Sequence, residues 1–189
     1  SEMIKFTATY PLTIGFIAKD YVQSPSGLEY IGTSNQQIGD GGLIFQIRET
    51  ASQKLVSVSD GTWKMKVANT APLNPECAQS KQPDIDCKFA NYSIPTTWAS
   101  TTFIDKSWAN AKIFSAEEVG PKEGYFQINW QGSAKFIWGN DLKLDNVIYF
   151  RKRISSPATQ IVASNLDFSV TSSNQNILIE CKSKNNKNI

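Results

Sequence analysis

Apolar residues recur at every second position through much of this chain, which is the period of a strand with one face buried. In "MIKFTATY" Ile4, Phe6, Ala8 and Tyr10 alternate with polar neighbours, and "LTIGFIAKDYV" continues the habit until Ser24-Pro25-Ser26-Gly27 breaks it. Gly39-Asp40-Gly41-Gly42 is a second break, too flexible for a strand interior. "LIFQIRE", "KLVSVSD" and "TWKMKVA" follow, the last two joined by the turn dipeptide Asp60-Gly61. Three strands on short turns predict an antiparallel meander. "GYFQINW", "SAKFIW" and "NVIYFRKRI" also read as strands. "TQIVASNLDFSVTSSNQNILIECKSK" reads as a hairpin, with Leu166, Phe168 and Val170 on one arm and Ile177, Ile179 and Cys181 on the other.

Two stretches depart from this period. In "FIDKSWANAKIF" Asp105 has the chemistry to cap a short helical turn carrying Trp108 and Ala111 on one face. Residues 71–95 hold four of the eight prolines, together with Cys77 and Cys87. A segment that long inside a compact domain is functional or covers a surface. If Cys77 and Cys87 pair, the closed loop is stabilised by about 2–3 kcal/mol on the chain-entropy estimate, and an oxidising compartment is implied. The alternative is two free thiols; the spacing fits neither a zinc knuckle nor a redox CxxC motif. Asn91-Tyr92-Ser93 in the same region is an N-glycosylation sequon, which makes Asn91 the candidate acceptor. About ten short strands, one helical turn and Gly/Pro punctuation predict an all-β sandwich, with a closed barrel as the alternative.

Three segments resemble galactose-binding-like jelly-roll modules, which accompany bacterial α-rhamnosidases and occur in other secreted proteins. "VSVSDGTWKMKVA" is similar to their Asp-Gly-x-Trp-Lys strand pair. "WASTTFIDKSWANAKIF" is similar to their Trp–Phe-Asp-Asp-Ser-x-Trp–Ala segment, with Ile104 at the first acidic position so that only Asp105 remains. "SAKFIWGNDLKLDNVIYFRKRI" resembles their closing strands. The likeness implies an antiparallel jelly-roll β-sandwich over residues 1–154. Residues 155–189 then form a C-terminal hairpin extension, docked on the sandwich or on a neighbouring subunit.

Composition narrows the chemistry. The 189 residues are 40% hydrophobic and 19% charged, a globular balance, with a net charge of +2. Basic residues gather from Arg151 onward, but the excess is too small to argue for nucleic acid. No apolar run approaches the roughly 18 residues that span a bilayer. The chain has no histidine, which removes Ser-His-Asp and Cys-His machinery and imidazole metal sites. Paired carboxylates such as Asp141 with Asp145 carry no other mark of catalysis, so the expectation is a protein without enzymatic activity.

Two binding chemistries stay open. Asp141, Asp145 and Asn146 offer oxygen ligands suited to a structural calcium ion, an idea the jelly-roll likeness favours; they serve equally to satisfy backbone groups in a strand connection. Trp63, Trp98, Trp108 and Trp138 read as rings filling the gap between sheets. Tyr125 and Trp130, near glycine-containing loops, are either core or a stacking surface for sugar, with Asn140 and Asp141 as hydrogen-bonding partners. The expected function is therefore a non-catalytic extracellular or cell-surface module for carbohydrate recognition or adhesion. The alternative is a structural subunit of an extracellular filament, a homopolymer whose partners are other extracellular protein subunits. There the C-terminal hairpin adds to a neighbour's sheet and Cys181 is available to bridge subunits.

Overall fold

The computed structural model describes residues 3–122, 124–155 and, for its backbone only, a strand at Asn176–Lys182. The strands in chain order are β1 (Leu12–Lys19), β2 (Leu28–Glu29), β3 (Gln37–Ile38), β4 (Gln46–Arg48), β5 (Leu55–Val58), β6 (Lys64–Thr70), β7 (Ala90–Asn91), β8 (Ala109–Asn110), β9 (Lys112–Phe114), β10 (Phe136–Trp138), β11 (Asp145–Ile154) and β12 (Asn176–Lys182). Helix is confined to single turns: a 3-10 turn at Pro75–Gln79, α1 (Pro83–Asp86) and α2 (Ala116–Val119). The described protein is thus all-β, as the alternation predicts.

The main sheet runs β12-β1-β11-β6-β7, with β8 also paired to β6. Its centre is the long antiparallel register of β1 on β11, from Leu12 opposite Ile154 to Lys19 opposite Val147. β12 lies parallel to β1, with Thr13 opposite Asn176. The arm bearing Leu166, Phe168 and Val170 lies outside the described residues. Two smaller ladders are β4–β5 and β9–β10, and Leu43, three residues before β4, bridges to Ile137 of β10. Their residues Ile47, Phe114, Phe136 and Ile137, with Phe45 just before β4, pack into one core with Ile14, Phe16, Met65, Ile148 and Phe150 of the main sheet.

The opposite face of the main sheet is also covered. Trp63 and Trp138 are buried in the main core, whereas Trp98 and Trp108 are buried outside it. Trp98 presses on Gly15, where an added Cβ would lie 2.7 Å from Trp98 Cζ3. Its ring stands edge-on to Tyr149 at 4.8 Å. Arg151, 3% exposed, fastens this cover: its guanidinium donates to Ser100 O at 3.0 Å, Phe103 O at 3.1 Å and Asp105 Oδ2 at 2.5 Å. A planar donor fork suits three acceptors on one turn-rich segment.

Four local expectations are corrected. Residues 3–9 form no strand, although Phe6 is buried in the core. Proline at 11 lacks the N–H that would continue a ladder into β1. The helical turn over 103–114 is instead a tight turn, Trp108 N to Asp105 O at 2.9 Å, followed by β8 and β9. Asp105 spends its carboxylate on Arg151 rather than on a cap. The meander stops after β5, because β6 leaves β4–β5 and pairs with β11 in the main sheet. "GYFQINW" is a series of turns, opened by Gly124 at φ 95° and closed where Trp130 Nε1 donates to Tyr125 O at 2.9 Å.

Candidate functional site

The disulfide Cys77–Cys87 is formed, and it anchors more than its own loop. Both cysteines are buried with Leu28 in a second small core, against which Ile31, Ile38 and Ala78 pack. Gln36 Nε2 adds a 2.6 Å bond to Ala78 O. The cross-linked loop therefore supports the short β2–β3 hairpin, which would be marginal alone. That hairpin carries Glu29 at the end of β2 and Gln37 in β3, paired across the ladder.

Three carboxylates converge beside it. Asp20 directly follows β1, its N–H bonded to Asn146 O at 2.8 Å. Asp40 stands in the irregular Gly39–Gly42 segment after β3, and its own N–H donates to Asp20 Oδ2 at 3.0 Å. One oxygen from each of Asp20, Glu29 and Asp40 lies within 4.8 Å of the others. Gln37 Nε2 donates to Glu29 Oε2 at 3.1 Å and to Asp40 Oδ2 at 3.3 Å. Lys122 reaches Asp40 from outside at 3.8 Å, in a pair too exposed to neutralise the group.

The electrostatics follow from burial and crowding. Burial, then the charges of Glu29 and Asp40, push the Asp20 carboxyl up to about 7, against the pull of the Tyr21 and Asp40 N–H groups. Glu29 is raised too, chiefly by burial and then by Asp40. Glu29 is 3% exposed, yet its Oε1 has no hydrogen-bond partner.

A chain of carboxamides approaches from the sheet. Asn69 Nδ2 donates to Asn91 Oδ1 at 2.7 Å, so Asn69 presents Oδ1 to Asn146 Nδ2 at 3.2 Å. Asn146 Nδ2 also donates to Ala71 O at 2.9 Å. Both amide hydrogens of Asn146 are thereby placed, and its buried Oδ1 is left without a partner. That oxygen faces Gly39: a Cβ there would lie 2.3 Å from Asp20 Oδ2 and 3.5 Å from Asn146 Oδ1. Only glycine fits the gap between these oxygens.

The Asn/Asp connection between β10 and β11 has a different arrangement. Asp145 Oδ2 accepts the N–H groups of Asn140 at 2.8 Å and Asp141 at 3.1 Å, and its Oδ1 accepts Thr70 Oγ1 at 3.2 Å. Asp141 Oδ1 accepts from Lys143 N and Leu144 N, at 2.8 and 3.1 Å. Asp145 is thus occupied by the turn through both oxygens and Asp141 through Oδ1, while Asp141 Oδ2 and the Asn146 carboxamide oxygen accept no hydrogen bond. Asn91 is exposed on β7, as an acceptor of glycan must be.

The aromatic loop brings Tyr125 and Trp130 together, stacked at 6.0 Å and 21°. Both are half-buried, and Tyr125 packs on core Phe136 at 5.2 Å. The exposed ring is Phe126, 78% accessible and edge-on to Tyr125 at 5.1 Å. Among the described residues no hydrogen bond or ring contact joins this loop to Asn140 or Asp141, so the structure leaves the two halves of that sequence-derived set apart. The segment that precedes the loop approaches the acidic cluster: Lys122 pairs with Asp40, and Val119 of α2 packs so closely on Gly42 that a Cβ there would lie 2.7 Å from its Cγ1.

Sequence reasoning missed Asp20, Glu29, Asp40 and Phe126. Glycines flanking Asp40 were the only local signal for the cluster, whose members lie on three separate elements. No helix among the described residues is long and apolar enough to cross a membrane. No family model, curated protein or solved structure matches the chain, and the likeness to galactose-binding-like modules rests on the residues quoted above.

Proposed function

We propose that this chain is a non-catalytic extracellular module of jelly-roll β-sandwich type that recognises carbohydrate. The observation that carries the reading is the Phe126 ring, held in solvent by a half-buried Tyr125–Trp130 stack. An exposed ring on a rigid aromatic support offers the flat apolar face that a pyranose C–H surface stacks against. Trp130 Nε1 is occupied by Tyr125 O, so Trp130 contributes ring area rather than a hydrogen bond. The Cys77–Cys87 disulfide and the exposed Asn91 sequon support an oxidising, extracellular setting. The test is a glycan array probed with wild type and F126A. Selective binding by wild type that F126A loses is expected; wild-type signal at background, with and without calcium, removes the reading.

The filament reading is favoured by one observation, the parallel seating of β12 on β1 at the end of the main sheet. A strand from the C-terminal segment that completes the sheet of its own chain can complete that of a neighbour by the same hydrogen bonds. Light scattering separates the two readings: concentration-dependent polymers support assembly, and a monodisperse monomer opposes it.

A further inference from the structure

We infer that the end of β1, the β2–β3 hairpin and the Gly39–Gly42 segment form a site for one calcium ion, bound by carboxylate oxygens of Asp20, Glu29 and Asp40 with the Asn146 carboxamide oxygen. The site takes no ligand from the aromatic loop or from the Asn140–Asp145 turn.

Convergence of three carboxylates is not sufficient, and two further observations give the cluster its meaning. Glu29 and Asn146 are 3% and 1% exposed, and each keeps one oxygen without a partner. Buried acceptors are almost always satisfied, and two unsatisfied ones on residues that flank Asp20 call for a donor or a cation. The orientation of Asn146 is fixed by the carboxamide chain from Asn91 through Asn69, so the oxygen facing Gly39 and Asp20 is built in. Nearby protein donors are already used: Gln37 serves Glu29 Oε2 and Asp40, and the N–H groups of Tyr21 and Asp40 serve Asp20.

Ligand chemistry and spacing select the ion. All four donors are oxygens, which suits a hard cation. Oxygens on opposite sides of calcium lie about 4.6–5.2 Å apart, twice the metal–oxygen distance, whereas magnesium allows only about 4.2 Å. The carboxylate atoms all lie within 4.8 Å of one another, close enough to share one calcium ion. Donors from separate loops also suit the irregular coordination of calcium better than a strict octahedron.

The test uses the 189-residue chain stripped of metal by a chelator, then titrated with calcium chloride or magnesium chloride in a calorimeter and melted by differential scanning fluorimetry. One calcium per chain is expected, with a melting temperature that climbs as calcium rises and a weaker response to magnesium. D40N changes an exposed side chain and leaves folding intact by circular dichroism; E29Q keeps the size of the buried one. Each is expected to raise the calcium Kd about tenfold or more. Absence of heat and of any melting shift up to millimolar calcium overturns the assignment. So does wild-type affinity in either variant, or loss of binding in D141N, which would place the ion in the β10–β11 turn.

Discussion

Replacing Gly15 with alanine tests how the outer face of the main sheet is closed. An alanine Cβ would lie 2.7 and 2.8 Å from Trp98 Cζ3 and Cη2, well inside ordinary contact. The indole has little room to retreat. It is 6% exposed, edge-on to Tyr149, and stacked on Trp108 with centroids 6.3 Å apart. Overpacking of this kind costs about 1–3 kcal/mol, against which removing a strand glycine returns roughly 0.5–1 kcal/mol of chain entropy. A net loss of about 1–2 kcal/mol is expected in urea unfolding, or a melting point lower by roughly 2–8 °C for a domain of this size. Phenylalanine at position 98 removes the ring atoms that clash. The cost of G15A in a W98F background should therefore fall toward zero, a coupling that a double-mutant cycle measures directly. A neutral or stabilising G15A in the wild-type background would show that Trp98 does not seal this face.

Two further outcomes follow from buried charge. D105N weakens the contact that holds residues 100–105 on the sheet, and with Arg151 buried the loss is about 2 kcal/mol in urea unfolding; R151K should not restore the three-acceptor clamp. An unchanged midpoint in D105N would refute the role of the pair. In metal-free buffer the raised carboxyl of Asp20, at about 7, makes the folded state bind its proton more tightly than the unfolded chain does. That stabilisation is complete below the unfolded carboxylate value near 4 and is lost as pH rises through about 7. The loss amounts to a few kcal/mol at 1.36 kcal/mol per unit. Glu29 shifts in the same direction. Stability that instead increased across this window in wild type, but not in D20N, would contradict the burial argument.

The strands were readable wherever alternation met a ladder partner. β1, β6, β10 and β11 stand close to where the pattern placed them, because each buries one face in the common core. Trp63, Trp98, Trp108 and Trp138 are buried as expected from ring size. Alternation failed at residues 3–9 and 124–130, where apolar side chains reach the core from segments that are not strands; period alone does not reveal whether a partner strand exists. The helical turn was misplaced because Asp105 looked like a cap, while the true capping box, Ser115 with Glu118, opens a four-residue helix too short to show a period and with no fully buried residue. The acidic cluster was illegible for another reason. Asp20 and Glu29 are unremarkable in their local sequence, the glycines around Asp40 mark only a break, and tertiary pairing of β2 with β3 and of Asp20 with Asn146 brings the three together. The Asn140–Asp145 turn shows the converse: ligand-type residues close in sequence are spent on backbone N–H groups.

The most direct test of the cation assignment is a crystal structure of the chain grown with calcium, with anomalous data collected at long wavelength. The account predicts one anomalous peak bounded by Asp20, Glu29, Asp40 and Asn146 Oδ1, at about 2.3–2.6 Å from its oxygens. A map with no peak there, in crystals grown at millimolar calcium, would contradict it.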